Sequence, residues 1–185
     1  MTPAARLYRL ARRNERDPVY RAGLVWYDDA RALVRQWARA SGLSSVRVAA
    51  VVAALSPQVP WTVQVDHTMR FIRAELDRPG SGRYAGFSRN VVKARRILRG
   101  EPADRVLGGE KVRAFWQALS GDNGAVVLDR HMIELMGLAI HGKSAWYRAG
   151  VWAVWQVSAR LGVAPARLQA AAWCVWKRRS DAVPF

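Results

Sequence analysis

The sequence predicts an all-α globule of about nine helices, and three observations carry that expectation. Apolar residues recur every three or four positions along almost the whole chain, which is the period of a helix. Ala, Leu, Arg, Gln and Trp dominate, while the alternating runs that mark strands are scarce. Glycine, proline and serine fall between the periodic stretches at short intervals, so the connections are short.

In order, the periodic stretches lie at about residues 4–14, 20–41, 45–55, 61–77, 88–99, 110–119, 130–140, 144–162 and 165–178. Ser41-Gly42 closes the second, and Ser44-Ser45 offers caps for the third. Ser56-Pro57 breaks the third, and Pro60 stands where a first-turn proline is tolerated. Arg78-Pro-Gly-Ser-Gly-Arg83 is the longest flexible stretch, a loop rather than a domain boundary. Gly100, Gly121, Gly142 and Gly162 each end a helix, and Pro165 opens the last one. At this length one domain over residues 1–185 is the natural division, with two lobes as its variant.

Composition narrows the class of protein. A 51% share of hydrophobic residues is enough for a sizeable core and excludes a disordered chain. Thirty Lys and Arg against 14 Asp and Glu leave a formal charge of +16, and the isoelectric point is about 11.4. Nucleic acid is the first partner such a balance suggests, with acidic membranes or proteins behind it. The Arg and Ala bias of a high-GC genome accounts for part of the excess. The single cysteine, Cys174, excludes an internal disulfide and a cysteine-built zinc or iron–sulfur centre. No apolar run approaches the roughly 20 residues that span a bilayer, and the N-terminus carries no secretory pattern. The expectation is a soluble, cytoplasmic protein.

The last two helices are rich in tryptophan: Trp146, Trp152 and Trp155, then Trp173 and Trp176. Their spacing suits a buried stripe better than a base-stacking platform, and Cys174 beside them reads as core. Lys177-Arg178-Arg179 is either a phosphate contact or a solvated end that complements the helix dipole.

Chemistry concentrates between Leu107 and His131. Gly108 and Gly109 let the backbone turn and let a polyanion approach the amides without obstruction. Lys111 then falls in the first turn of a helix, where a cation opposes the dipole. It is an exposed lysine after a turn, a phosphate ligand, or a nucleophile. Ala125-Val-Val-Leu128 is an apolar run that delivers Asp129 to a helix start. Asp129 is a helix cap, or an acid facing a cleft where it stabilises a developing cation or positions water. His67 and His141 have no neighbours at metal-ligand spacing, so no catalytic metal is inferred.

These residues, with two blocks upstream, resemble the helix-hairpin-helix DNA glycosylases, the superfamily of endonuclease III-like enzymes. Lys111 falls on that family's lysine after the glycine hairpin, and Leu128-Asp129-Arg130-His131 on its aspartate run. Leu55-Ser-Pro-Gln58 resembles the segment ending in the glutamine that fills the gap of an extruded base. Gly86 to Leu98, with Lys93-Ala94, resembles the family's Lys-Ala-x-x-Ile segment. The hairpin, placed at about residues 100–120, is shorter than the family's Leu-Pro-Gly-x-Gly, and the iron–sulfur cysteines are absent. Small phage and prophage proteins are similar from Ser56-Pro57 and Trp61 to Leu168-Gln169-Ala170 and Trp173.

The resemblance implies a monomeric enzyme of a bacterial or phage-infected cell that excises a modified or damaged base from double-stranded DNA, with or without abasic-site lyase activity. Asp129 would stabilise the sugar cation, and Lys111, if nucleophilic, would need burial to be partly neutral. Gln58, Gly108, Gly109, Lys93, Arg130, Lys177 and Arg178 are the candidate DNA contacts. Gln58 otherwise serves as a C-cap amide for the third helix. Trp61, Tyr27 and Trp116 are base-pocket candidates that double as core. His131 is another, more simply a hydrogen-bonded structural histidine. No cofactor is implied beyond a monovalent cation on the carbonyls of the 107–110 turn. Two alternatives stay open: a glycosylase-like phage enzyme of thymine hypermodification, and a non-catalytic helix-hairpin-helix DNA-binding protein.

Overall fold

The caps that the sequence offers are largely the ones used. In the computed structural model of the chain, the Thr2 hydroxyl accepts from the Ala5 amide at 3.2 Å and opens α1 (Pro3–Asn14). Asp17 accepts from the Val19 amide at 2.8 Å where α2 (Pro18–Ser41) begins, and Ser44 accepts from the Arg47 amide under α3 (Ser45–Leu55). Pro60 leads into α4 (Trp61–Asp77), followed by α5 (Ser88–Leu98), α6 (Ala103–Val106) and α7 (Glu110–Leu119). The chain finishes with α8 (Arg130–Met136), α9 (Ala145–Leu161) and α10 (Pro165–Ser180). The structure describes residues 1–84, 86–139 and 145–180, without the side chains of Arg179 and Ser180. The fold is all-α, with ten helices and no strand among the described residues. No single described helix is long and apolar enough to cross a membrane.

Two expectations need correction. The one-turn α6 lies outside the periodic stretches, because four residues are too few for a period to show in sequence. α8 ends at Met136, short of residue 140, because Gly137 takes φ +61° and its amide turns back to the Glu134 and Ile133 carbonyls.

The described chain forms two compact units. The first contains Met1–Asp29 and the described part of Gly121–Pro184, and the second contains Ala30–Ser120. In the second unit α3 is the centre. Val48 to Leu55 are each no more than 2% exposed, and α4, α5 and α7 pack around them. An eight-residue apolar run can satisfy a helix only when it is covered on every side. In the first unit Leu7 and Leu10 of α1, Met132 and Met136 of α8, Val154 of α9 and Leu168 of α10 meet in one core. Cys174 is 1% exposed within this unit, and burial pushes its thiol up to about 12.

The stretch from Arg78 to Arg83, expected to be flexible, is held by charge. Glu75 accepts from the Gly80 amide at 2.9 Å, the Gly82 amide at 2.8 Å and Arg95 Nε at 3.0 Å. Arg95 Nη2 donates in turn to the carbonyls of Gly80 and Gly82, both at 3.1 Å. Burial alone would push the Glu75 carboxyl upward, yet the Gly80 amide, Arg95 and the Gly82 amide together hold it below its ordinary 4.5. A carboxylate with a lowered native value stabilises the fold above the unfolded value and loses that contribution as pH falls through the native one. Glu75→Ala, which strands Arg95 and two amides, should therefore cost about 3 kcal/mol in urea unfolding at neutral pH. Between pH 5 and pH 3, Glu75→Gln should show a shallower loss of stability than the parent. Equal slopes would contradict this account of the loop.

Candidate functional site

In the second unit the candidate residues gather around one turn. Gly109 adopts φ +82°, which a side chain rarely tolerates, and it opens α7 without a side-chain cap. The first amides of α7 are therefore left pointing outward, an arrangement suited to an anion. Lys93 on α5 reaches the same place. A Cβ placed on Gly108 would lie 3.7 Å from Lys93 Nζ. Lys111, one residue into α7, is exposed. The burial expected of a nucleophilic amine is thus missing, since Lys111 lies on the outward side of the first turn.

The turn also disagrees with the expected monovalent cation. Arg113 Nε donates to the Leu107 carbonyl at 2.8 Å, and its Nη2 to the Asp104 carbonyl at 3.1 Å. The guanidinium already supplies positive charge at the carbonyl where the ion was expected. A second cation at Leu107 would face like charge, so that carbonyl of the turn does not fit the ion.

Gln58 departs furthest from ordinary backbone. α3 is capped by Ser56, so the C-cap role considered for Gln58 is not the one it plays. Its φ is +64°, and among the described residues no other side-chain-bearing residue has a positive φ. It is also exposed, in the short connection that follows the buried Val48–Leu55 run of α3. A left-handed conformation costs a non-glycine residue roughly 1 kcal/mol or more, and such residues collect at functional sites. Of the aromatic candidates in this unit, Trp61 is half-buried with its ring edge-on to Phe115 at 6.5 Å. Trp116, also half-buried, donates through Nε1 to the Val46 carbonyl at 3.3 Å. Both have structural partners.

Asp129 belongs to the first unit, where non-helical backbone delivers it. Ala125 to Leu128 are buried, so their polar groups need partners. Tyr147 supplies one: its hydroxyl donates to the Val126 carbonyl at 2.9 Å and lies 3.5 Å from the Leu128 amide. Leu128 packs where α9 has a glycine. A Cβ on Gly150 would come within 2.6 Å of Leu128 Cδ1. The run ends with the half-buried Asp129 at the start of α8. Its Oδ1 accepts from the Met132 amide at 3.0 Å, and its Oδ2 from Trp173 Nε1 at 2.8 Å. Asp129 is therefore a helix cap, and it is also pinned from α10.

The remaining candidates in the first unit divide. His131 stacks edge-on against Trp173 at 6.1 Å, but its buried Nδ1 has no hydrogen-bond partner in the protein, contrary to the hydrogen-bonded role expected. Arg130 is exposed beside Asp129. Arg178 is committed elsewhere, since Nη1 meets Asp17 Oδ1 at 3.0 Å and Nη2 closes a second contact with Oδ2. The Arg178 guanidinium holds the Asp17 carboxyl below its ordinary range. Arg178 thus ties the end of α10 to the start of α2, in place of the free phosphate contact expected. Lys177 is half-buried. Tyr27 is 3% exposed with its hydroxyl 3.4 Å from Gln169 Oε1, a core position.

The tryptophans correct another expectation. Trp146, Trp173 and Trp176 pack against the core, whereas Trp152 is 65% and Trp155 46% exposed. Their spacing of three places them together on the outer face of α9, and a spacing of three or four does not tell which face that is. Among the described residues no three His, Cys, Asp or Glu side chains converge as a metal site, and His141 lies outside those residues.

Sequence comparison places residues 4–180 within a single family model, described as a family of unknown function (DUF7178). The chain belongs to that family. The match to DUF7178 runs through both units, so the glycine turn, Gln58, Asp129 and Trp173 all fall inside the family's extent. No curated protein and no solved structure matches the chain.

Two outcomes follow from the glycine turn and from Gln58. Arg113→Met frees the Leu107 and Asp104 carbonyls and should lower stability by about 1 kcal/mol, read by thermal unfolding. If the chain binds a DNA duplex, the parent's affinity should be the same in sodium, potassium and tetramethylammonium chloride at equal ionic strength. A potassium requirement would contradict the assignment of Arg113. Gln58→Gly relieves the left-handed strain and should leave stability unchanged or raised by up to about 1 kcal/mol. A loss of stability would mean that the side chain itself holds the loop.

Proposed function

We propose that this chain is a DNA glycosylase that takes a modified or damaged base out of duplex DNA. One observation carries this above the others: Gln58 is exposed and holds a left-handed backbone conformation that side-chain-bearing residues rarely adopt. A side chain projected outward at that cost suits insertion into a base stack, where it replaces an extruded nucleotide. Extrusion costs a few kcal/mol, and a plug offsets part of it.

The other features give this residue its chemistry. The formal charge of +16 favours a polyanion, and the Gly108-Gly109 turn with Lys93 and the amides of α7 suits a backbone phosphate. Arg113 adds a fixed positive charge beside the turn through its bonds to the Leu107 and Asp104 carbonyls. Asp129 keeps unshared lone pairs beyond its two hydrogen bonds and remains partly open to solvent. Cleavage of the glycosidic bond builds positive charge on the sugar, which a fixed carboxylate stabilises. The same carboxylate can orient the attacking water. Exposure of Lys111 favours phosphate contact over a covalent role, so the enzyme is assigned as monofunctional.

A second possibility has one specific observation behind it. The two hydrogen bonds to Asp129 are those of a structural cap, which suits a non-catalytic DNA-binding protein equally well.

The test is a panel of duplexes, each carrying one modified base, scored separately for free base and for strand nicking. Base excision predicts release from at least one duplex without nicking. Borohydride treatment should trap no protein–DNA adduct, and Lys111→Met should weaken duplex binding by severalfold while leaving single-turnover release intact. An adduct lost in Lys111→Met would make the lysine the nucleophile. Duplex binding with no release across the panel would favour the binding protein.

A further inference from the structure

The exposed tryptophans on α9 belong to a larger surface that base excision does not use. Arg148, Trp152, Gln156 and Arg160 are spaced four apart and all exposed, so they form one row along the helix. The row is about 18 Å long at the helical rise. Trp155 stands beside it, and its ring is held in place. A Cβ on Gly124 would lie 2.9 Å from Trp155 Cζ2, so the six-membered ring of the indole borders that turn while 46% of the residue stays exposed. At the far end of the row Arg160 covers the ring of Tyr8 at 4.0 Å. There α1 and α9 border a groove of about 750 Å³ whose α1 side carries Arg9, Arg12 and Arg13.

The two helices of this face carry charge of one sign, and the acid beside Trp155, Asp122, accepts from the Gly124 amide at 2.7 Å. Neither Pro3–Asn14 nor Ala145–Leu161 contains an acidic residue, while together they contain six arginines. The nearest acid past α1, Glu15, is paired with Arg12 at 2.7 Å. Two adjacent open indoles are expensive to leave in water unless something covers them, since large apolar side chains at this exposure mark contact sites. The arginines on both sides state the sign of what covers them. An anionic polymer with flat apolar groups at regular intervals meets both demands, and those groups are free to stack only when the strand is unpaired.

We propose that the α1–α9 face of the first unit binds single-stranded nucleic acid, with Trp152 and Trp155 stacking on bases and the arginines of α1 and α9 tracking phosphates. This surface is independent of the base-excision site: it uses neither Asp129 nor the glycine turn.

The experiment measures binding of the full chain to labelled oligo(dT), to a duplex of equal length and to heparin, which offers charge without bases. Replacing Trp152 and Trp155 together by Ala should weaken oligo(dT) binding about tenfold or more, with heparin binding unchanged. The double Phe variant keeps a stacking ring and should retain most of the affinity, which separates stacking from loss of fold. Arg9→Gln with Arg13→Gln should reduce the slope of log affinity against log salt by about 0.7 per arginine. The proposal is overturned if the Ala variant binds oligo(dT) like the parent, or if it loses heparin to the same degree. It is also overturned if sedimentation shows these indoles joining two copies of the chain while oligo(dT) affinity stays unchanged.

Discussion

The carboxylate of Asp129, divided between the Met132 amide and the Trp173 indole, is the contact on which the candidate chemistry depends. One oxygen starts α8 and the other joins that start to α10, so a single side chain fixes the junction of two helices. The buried run before it has no helix of its own to satisfy its backbone, and Tyr147 on α9 fills part of that need. Two helices therefore meet at one acid, and a third supports the run that carries it. A carboxylate restrained this way cannot swing to follow a substrate, which is what electrostatic stabilisation of a transient cation requires. The cap and the catalyst make the same geometric demand, so one residue can serve both.

The second unit solves a different problem with the same economy of parts. From Val48 to Leu55 α3 is apolar and buried, and the chain returns toward solvent in the connection that follows. Gln58 sits there in a conformation glycine would adopt more easily. In the same unit, Arg113 binds the Leu107 carbonyl at the glycine turn, and Glu75 with Arg95 binds the amides and carbonyls of another turn. In both turns a charged side chain substitutes for regular secondary structure. Such fixed loops suit a protein whose contacts with a polyanion come from turns and helix starts.

Much of the fold was legible because periodicity and punctuation agree in nearly every helix. Ser44 under α3, Pro165 at α10 and Asp129 at α8 each occupy the cap or first-turn position their chemistry favours. What could not be read had physical causes. α6 is shorter than one amphipathic repeat. The Arg78–Arg83 loop looks flexible by composition, yet its order comes from Arg95, on a later helix. Trp152 and Trp155 have the spacing of a core stripe, but spacing says nothing about which side a neighbour covers. The Asp129–Trp173 contact spans 44 positions and has no local signature at all. Gln58 was singled out by resemblance, whereas its strain is visible only in the backbone.

The most direct measurement compares Asp129→Asn with the parent in two assays, urea unfolding and single-turnover base release from a duplex the parent processes. Asparagine caps helices as well as aspartate, and its side-chain oxygen can still receive one N–H. A residue that is both cap and catalyst predicts stability within about 1 kcal/mol of the parent together with a loss of release of about a hundredfold or more. Release undiminished in a variant that folds normally would reduce Asp129 to a cap and remove base excision as the function of this site.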